Sequence, residues 1–158
     1  MSFELDSRSL TVLQDVDDRL ARVVVRASGL SFMKFWVVSG LRSYDQQARL
    51  FGQGRRPSQL KAMGLDPELA RPSMTAVVWT MKTKHLGDET GKSRAVDLGI
   101  ISENKRPVVI WQNDALYLQL AAAMKEAARL ENVGISWGGD WHAHRSPRHY
   151  EIREIIRA

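Results

Sequence analysis

The sequence predicts an α+β fold, a small and mainly antiparallel sheet with flanking helices. Long segments carry apolar residues at steps of three and four, and short ones are β-branched or alternate apolar with polar. Their order, helix, strand, helix, strands, helix, strands, lacks the regular alternation of a parallel α/β sheet. With 158 residues, 44% of them hydrophobic and 26% charged, the chain is long enough for one domain with a real core and short for two. A single domain over residues 1–158, with no second module, is expected.

Between residues 9 and 27, Leu13, Val16, Leu20, Val23, Val24 and Ala27 form one stripe, with Asp15, Asp17, Asp18 and Arg22 between them. This predicts an amphipathic helix stopped by Gly29. Residues 32–38, aromatic and β-branched, predict a strand. Ser43 followed by Gln46 fits a capping box, opening a short helix through Leu50 and Phe51 that ends at Gly52 or Gly54. Arg42 then sits at a strand-to-helix junction. Residues 55–73, with three prolines, predict a loop-rich excursion with at most one helical turn. Residues 76–80 and 95–101 read as strands, and 107–111 as a further apolar piece. Asn113 caps a long helix whose stripe is Leu116, Leu120, Ala123, Met124, Ala127 and Leu130. Residues 135–137 and 149–152 read as the last strands.

Composition excludes several classes. With no cysteine, neither a disulfide framework nor a thiolate metal site is possible, so any metal must be held by His and carboxylate. The N-terminus, Met1 to Asp6, lacks the basic start and apolar stretch of a signal peptide, and no run approaches the ~20 apolar residues of a membrane span. The expectation is a soluble protein made in the cytoplasm. The net charge of +5 favours polyanions, whether nucleic acid, anionic lipid surfaces or bacterial envelope polymers, and does not choose among them. The basic residues are scattered, with small clusters at Arg55-Arg56 and from Arg145 to Arg157, and no nucleic-acid module accompanies them.

His85 and Asp97 stand at the two ends of a polar, glycine-containing loop, with the apolar run from Leu98 to Ile101 behind. Imidazole and carboxylate are both good Zn²⁺ ligands, and a catalytic zinc takes three protein ligands and keeps a fourth position open. The third candidate is His149, in the segment 137–152, dense in glycine, tryptophan and histidine. Asp88 or Glu89 could stand in for Asp97, but they lack its strand context. Gly91-Lys92-Ser93 is not a phosphate loop, because Leu86 occupies the position of the required first glycine and a strand follows instead of a helix.

Three stretches, Ser39-Gly40-Leu41-Arg42-Ser43-Tyr44-Asp45-Gln46-Gln47, then His85 with Ala95-Val96-Asp97, then Trp137-Gly138-Gly139-Asp140-Trp141 with His149-Tyr150-Glu151, together resemble the M15 zinc peptidases. These are the D-Ala-D-Ala carboxypeptidases and L-alanyl-D-glutamate endopeptidases, with a Hedgehog-like fold, and they include many phage endolysins. The resemblance implies Zn²⁺ held by His85, Asp97 and His149, and Arg42 stabilising the oxyanion that builds up during amide hydrolysis. It implies Gln47 and Trp141 at the substrate cleft, with Trp137 and the two glycines shaping its wall. Asp140 would line the cleft or orient a zinc-ligating histidine.

Two departures accompany the resemblance. The family pattern, close to His-x-x-Gly-x-Ala-x-Asp, is stretched here, with the extra residues falling in 88–93, a segment easily looped out. Three residues before the last histidine the family places an Asp or Glu as general base; this chain has Ser146. His144 is the first candidate to replace it, with His142, Asp140 and Glu151 also near in sequence.

The resemblance thus implies hydrolysis of peptidoglycan stem peptides between L-Ala and D-Glu by a phage endolysin. Such a protein would act as a monomer on the cell wall once the membrane is permeabilised, helped by contact with the anionic envelope and binding no nucleic acid. A catalytically impaired zinc- and peptidoglycan-binding protein on the same fold is the alternative that Ser146 keeps open. A D-Ala-D-Ala carboxypeptidase is the second alternative.

Overall fold

The computed structural model describes residues 3–154; Met1, Ser2 and the C-terminal end of the basic cluster at Arg157 lie outside the described residues. Five helices and four strands follow one another as α1 (Ser7–Leu13), α2 (Asp18–Leu30), β1 (Phe35–Ser39), α3 (Tyr44–Gly52), α4 (Pro57–Ala62), β2 (Ala95–Ile100), α5 (Asp114–Glu131), β3 (Ile135–Trp137) and β4 (His149–Ile152). The strands form one antiparallel sheet in the order β1-β2-β4-β3. The expected α+β architecture is the one observed. No helix among the described residues is long and apolar enough to cross a membrane.

Strand alternation divides the sheet chemically. Phe35 and Val37 of β1, Val96, Leu98 and Ile100 of β2, and Tyr150 and Ile152 of β4 join one core with Leu20, Val23, Val24 and Ala27 of α2 and with Leu120, Met124 and Ala127 of α5. Asp97, His149 and Glu151 alternate with these residues and therefore point to the opposite face. The long helix starts at the expected Asn113 cap, whose side chain accepts from Leu116 N. Its buried stripe takes in Tyr117, Ala121 and Ala128, while Leu130, expected in the stripe, is exposed. Over five turns the 3.6-residue period carries that last position off the core face.

Five expectations need correcting. The helix expected over 9–27 is two helices. Its interruption at residues 14–17 exists to receive Ser93: Asp17 N donates to Ser93 O at 2.7 Å, and Ser93 N donates to Asp15 O at 2.9 Å. Asp17 then caps α2 by accepting from Arg19 N. Gly29 stops nothing, since α2 runs through it to Leu30. The strand expected from residue 32 begins at Phe35, because Ser31 Oγ donates to Met33 O and accepts from Met33 N, and this turn holds residues 31–33 out of the sheet.

Residues 76–80 form no strand and pair with none among the described residues. They hang from side chains instead: Arg55 donates to Val78 O at 2.8 Å and Gln47 Nε2 to Thr80 O at 2.9 Å. Val78 and Met81 cover a second small core of Ala48, Phe51, Leu60 and Leu65. The segment 55–73 supplies that core through α4 and a 3₁₀ turn at Pro67–Leu69, so it holds more helix than its prolines suggest. Proline is tolerated at each of these starts because the first helical N–H has no intrahelical acceptor. The capping box of Ser43 and Gln46 forms as expected, and α3 ends at Gly52.

Candidate metal centre

Asp97 lies in the middle of β2, with Ser39 of β1 across from it on one side and His149 of β4 on the other. Cross-strand pairing therefore places one carboxylate directly beside one imidazole. His85 comes from outside the sheet. Arg42 N donates to His85 O at 2.9 Å and His85 Nδ1 donates to Gly40 O at 2.7 Å, which fastens the histidine to the turn after β1. The long gap between His85 and Asp97 closes because Arg94 N donates to Lys84 O at 2.9 Å. Residues between them form a side loop closed by Asp88 N to Lys92 O and turned at Gly91, whose φ of +78° suits glycine.

One ligand atom from each of His85, Asp97 and His149 lies within 4.8 Å of the others. Nδ1 of His85 is occupied by Gly40 O, so Nε2 is its available nitrogen. That atom is fully buried, sits 3.3 Å from Asp97 Oδ2 and has no hydrogen-bond partner among the described residues. A buried polar atom without a partner is costly unless something fills its lone pair. For His149 the assignment is reversed. Nε2 donates to Glu151 Oε1 at 2.9 Å, leaving Nδ1 to face Asp97 Oδ1 at 3.2 Å. Two imidazole nitrogens and a carboxylate oxygen, converging in a buried pocket of the sheet face, fit a divalent metal of the zinc type. Asp88, weighed against Asp97 as a ligand, is taken up by Thr90 and the Lys92 backbone.

Charge is concentrated here. Burial works against the ionised Asp97, but the two histidines hold its carboxyl well below the usual range. Burial also disfavours a charged His149, yet hydrogen bonds to Asp97 and Glu151 push it up to about 9. Burial works against the ionised Glu151 too, but it is held low by His149 and by Lys84, whose Nζ pairs with its Oε2 at 2.7 Å. Lys84 also donates to Ile152 O at 2.6 Å, so one cation ties the residue before His85 to the strand carrying His149.

The remaining sequence-derived residues fall into two groups. Arg42 is at the centre: its guanidinium donates to Asp97 Oδ2 at 2.7 Å, to Ser39 Oγ at 3.0 Å and to Gln47 Oε1 at 3.1 Å. Gln47 is buried and joins Arg42 to Thr80 O, which makes it a brace between α3 and the segment leading to His85. Trp141 packs its ring 5.1 Å from that of His149. Trp137 is buried and donates from Nε1 to Pro147 O at 2.7 Å, fixing the loop before His149.

Asp140 turns away. Its carboxylate is mostly exposed and pairs with Lys125 Nζ at 2.9 Å, so the orienting contact expected of it is made by Glu151 instead. His144 is exposed and stacks on Trp79 at 4.1 Å between centroids. His142 is exposed as well. Ser146 contributes through its backbone, accepting from His149 N and donating to Gly138 O. The tie from Lys84 to Glu151 was not read from the sequence. Its signal was there in a lysine next to one proposed ligand and a glutamate two residues past another.

The family model for phage L-alanyl-D-glutamate peptidases matches residues 1–64, which include Arg42 and Gln47. The crystal structure of Serratia marcescens L-Ala D-Glu endopeptidase ChiX is similar to this chain with a TM-score of 0.67 and 25% sequence identity. That likeness covers 96% of this chain and 91% of the other. No curated protein sequence matches the chain.

Proposed function

We propose that the chain is a zinc-dependent endolysin cleaving the L-Ala to D-Glu bond of peptidoglycan stem peptides, with His85, Asp97 and His149 holding the metal; its likeness to phage L-alanyl-D-glutamate peptidases over residues 1–64 and to a solved L-Ala D-Glu endopeptidase supports this reading. The observation that carries the zinc reading is the buried, unpartnered Nε2 of His85 aimed at Asp97. When bound, zinc would supply a Lewis acid for the scissile carbonyl and lower the pKa of water beside it. Asp97 sets the position of both histidines, and Glu151 holds the proton on His149 Nε2 so that Nδ1 is free. Arg42, already within hydrogen-bonding distance of Asp97, is the fixed cation available to the oxyanion. Hydrolysis adds water across the amide: the alanyl carbon gains the hydroxyl, the C–N bond breaks and the glutamyl nitrogen leaves as an amine with the remaining proton.

Ser146 favours a second reading, a peptidase of low turnover. The two carboxylate candidates to replace a base at that position are engaged elsewhere, Asp140 with Lys125 and both oxygens of Glu151 with His149 and Lys84, while His144 stacks on Trp79 and His142 is exposed. A missing base costs a factor of about 10² to 10⁴. Digestion of purified Gram-negative peptidoglycan by the zinc-loaded protein, read by mass spectrometry, tests both readings. The parent should release fragments split between L-Ala and D-Glu slowly, Ser146→Asp about a hundredfold faster, and His85→Ala not at all. Fragments split at another bond, or undiminished release by His85→Ala, would overturn the proposal.

A further inference from the structure

Each of the two histidines of the metal centre is approached by an irregular segment, residues 76–84 before His85 and residues 141–148 before His149. The first borders the centre through Thr80, whose carbonyl accepts from Gln47; Gln47 in turn accepts from the Arg42 guanidinium that is bound to Asp97. The second borders it through Trp141, whose ring lies 5.1 Å from that of His149. The segments meet where the rings of Trp79 and His144 stack, 4.1 Å apart between centroids and 17° from parallel. Among the described residues no hydrogen bond or ion pair joins them.

The two rings are held differently. Trp79 has a fixed backing: the Arg55 guanidinium lies 5.5 Å from its ring and 3.8 Å from that of Phe51, and donates to Phe51 O and Val78 O. The loop that carries His144 is fastened at its base, where Trp141 N and Ser146 N donate to Gly138 O and Arg145 Nε donates to Gly139 O. At its tip, His142, Ala143 and His144 are exposed and make no hydrogen bond among the described residues. His144 has a φ of +53°, a left-handed conformation that is costly for a residue with a side chain and persists where a neighbour holds it. The ring of Trp79 is that neighbour.

The metal centre itself is nearly closed, with His85 1% and His149 9% exposed. A catalytic metal there needs an open fourth position, and a peptide reaching it needs more room than such cover leaves. Resting on the metal site of the proposed function, we infer that the Trp79–His144 stack is a latch. It closes the tip of the 141–146 loop across the entrance to the metal centre, and substrate enters by parting the two rings. Swinging the tip away breaks no hydrogen bond and frees His144 from its left-handed conformation, so the stack is what opposes opening. A stack of this kind favours the closed form by about twofold to tenfold, a bias that a bound peptide can reverse.

The test follows zinc leaving the loaded protein into an excess of a chromophoric chelator, which needs no turnover. His144→Ala and Trp79→Ala should each release zinc about twofold to tenfold faster, with equilibrium zinc affinity unchanged because all three ligands remain. Trp79→Phe keeps a ring to stack and should release at the parent rate. The closed form excludes peptide, so Trp79→Ala should also lower the KM for N-acetyl-L-alanyl-γ-D-glutamyl-L-lysinamide by about the same factor. Release at the parent rate in both alanine variants, or a raised KM in Trp79→Ala, would overturn the latch. So would faster release matched by an equal loss of equilibrium affinity, because the rings would then be supporting the ligands and not guarding the entrance.

The two levels of inference separate cleanly. Absence of cleavage by both the parent and Ser146→Asp, with zinc release still accelerated in His144→Ala and Trp79→Ala, would remove the peptidase and leave the latch standing. Confirmed cleavage with unaltered release in those variants would remove the latch and leave the peptidase.

Discussion

Replacing Glu151 with alanine should loosen the metal by one to two orders of magnitude while leaving all three ligands in the chain. Glu151 Oε1 accepts from His149 Nε2 at 2.9 Å, and its Oε2 pairs with Lys84 Nζ at 2.7 Å. That contact keeps the proton on Nε2 and leaves Nδ1 toward Asp97. Without it the ring is free to swap tautomers and to rotate, and Lys84 keeps only Ile152 O as an acceptor. Loss of such an orienting partner typically lowers metal affinity by about 10- to 100-fold, or roughly 1.4 to 2.7 kcal/mol. Glu151→Gln should fall near the lower figure: its amide oxygen can still accept from His149, but its NH₂ would face the Lys84 ammonium. Lys84→Met keeps the contact between His149 and Glu151 and should cost less than either. Competition with a chromophoric zinc chelator measures the affinities, with thermal unfolding of the metal-free proteins run alongside as a check on folding. Parent-like affinity in Glu151→Ala, with an unchanged metal-free unfolding temperature, would refute the reasoning and assign the holding of His149 to Trp141.

Two further outcomes follow from the same geometry. In the metal-free protein His149 is held at about 9 against an ordinary imidazole value of 6.5, so its charged form contributes stability fully below pH 6.5, and that contribution is lost as the pH rises through 9. The unfolding temperature of the metal-free protein should therefore fall between those values, whereas zinc, which needs the deprotonated ring, should reverse the slope; a pH series with and without zinc checks the sign. Gly138→Ala would bring a Cβ to 2.3 Å from Ser146 O, a backbone atom that also accepts from His149 N. A destabilisation of about 1–3 kcal/mol is expected, together with weaker zinc binding, read by denaturant unfolding and the chelator assay.

That Asp97 and His149 come together was legible because these two proposed ligands obey short-range rules. Asp97 and His149 lie on segments whose alternation identifies strands, and strand pairing then sets them side by side. The capping box of Ser43 and Gln46 located α3, and with it the position of Arg42 just before the helix. What failed depended on partners remote in sequence. Nothing local says that the break after Leu13 must receive Ser93, so a continuous apolar stripe was read as one helix. The β-branched run at 76–80 has strand composition, but its Val78 and Thr80 carbonyls are taken by Arg55 and Gln47 side chains instead of a neighbouring strand. Asp140, adjacent to Trp141 in sequence, was expected to face the histidines, yet the 3₁₀ turn at Gly138–Asp140 carries it outward to Lys125.

The break between α1 and α2 and the stretched gap between His85 and Asp97 are two sides of one contact. Ser93, at the end of the looped-out residues, bonds Asp15 and Asp17 in that break, and Lys92 pairs with Asp18 at the start of α2. One residue further, Arg94 N reaches Lys84 O, and β2 begins. The helical layer thus clamps the far end of the loop, while the turn at Gly40 and Arg42 clamps the near end through His85. Extra residues between two clamped points add little to the entropy of closing them, because that cost grows only logarithmically with loop length. The spacing of the two ligands in sequence can therefore differ from the family pattern while their spacing in the structure still suits a metal. No such compensation is available to Ser146, because a proton acceptor cannot be supplied by backbone geometry. Tolerance of the first departure and sensitivity to the second follow from the same site: position is set redundantly by backbone hydrogen bonds, and acid–base chemistry depends on a single side chain.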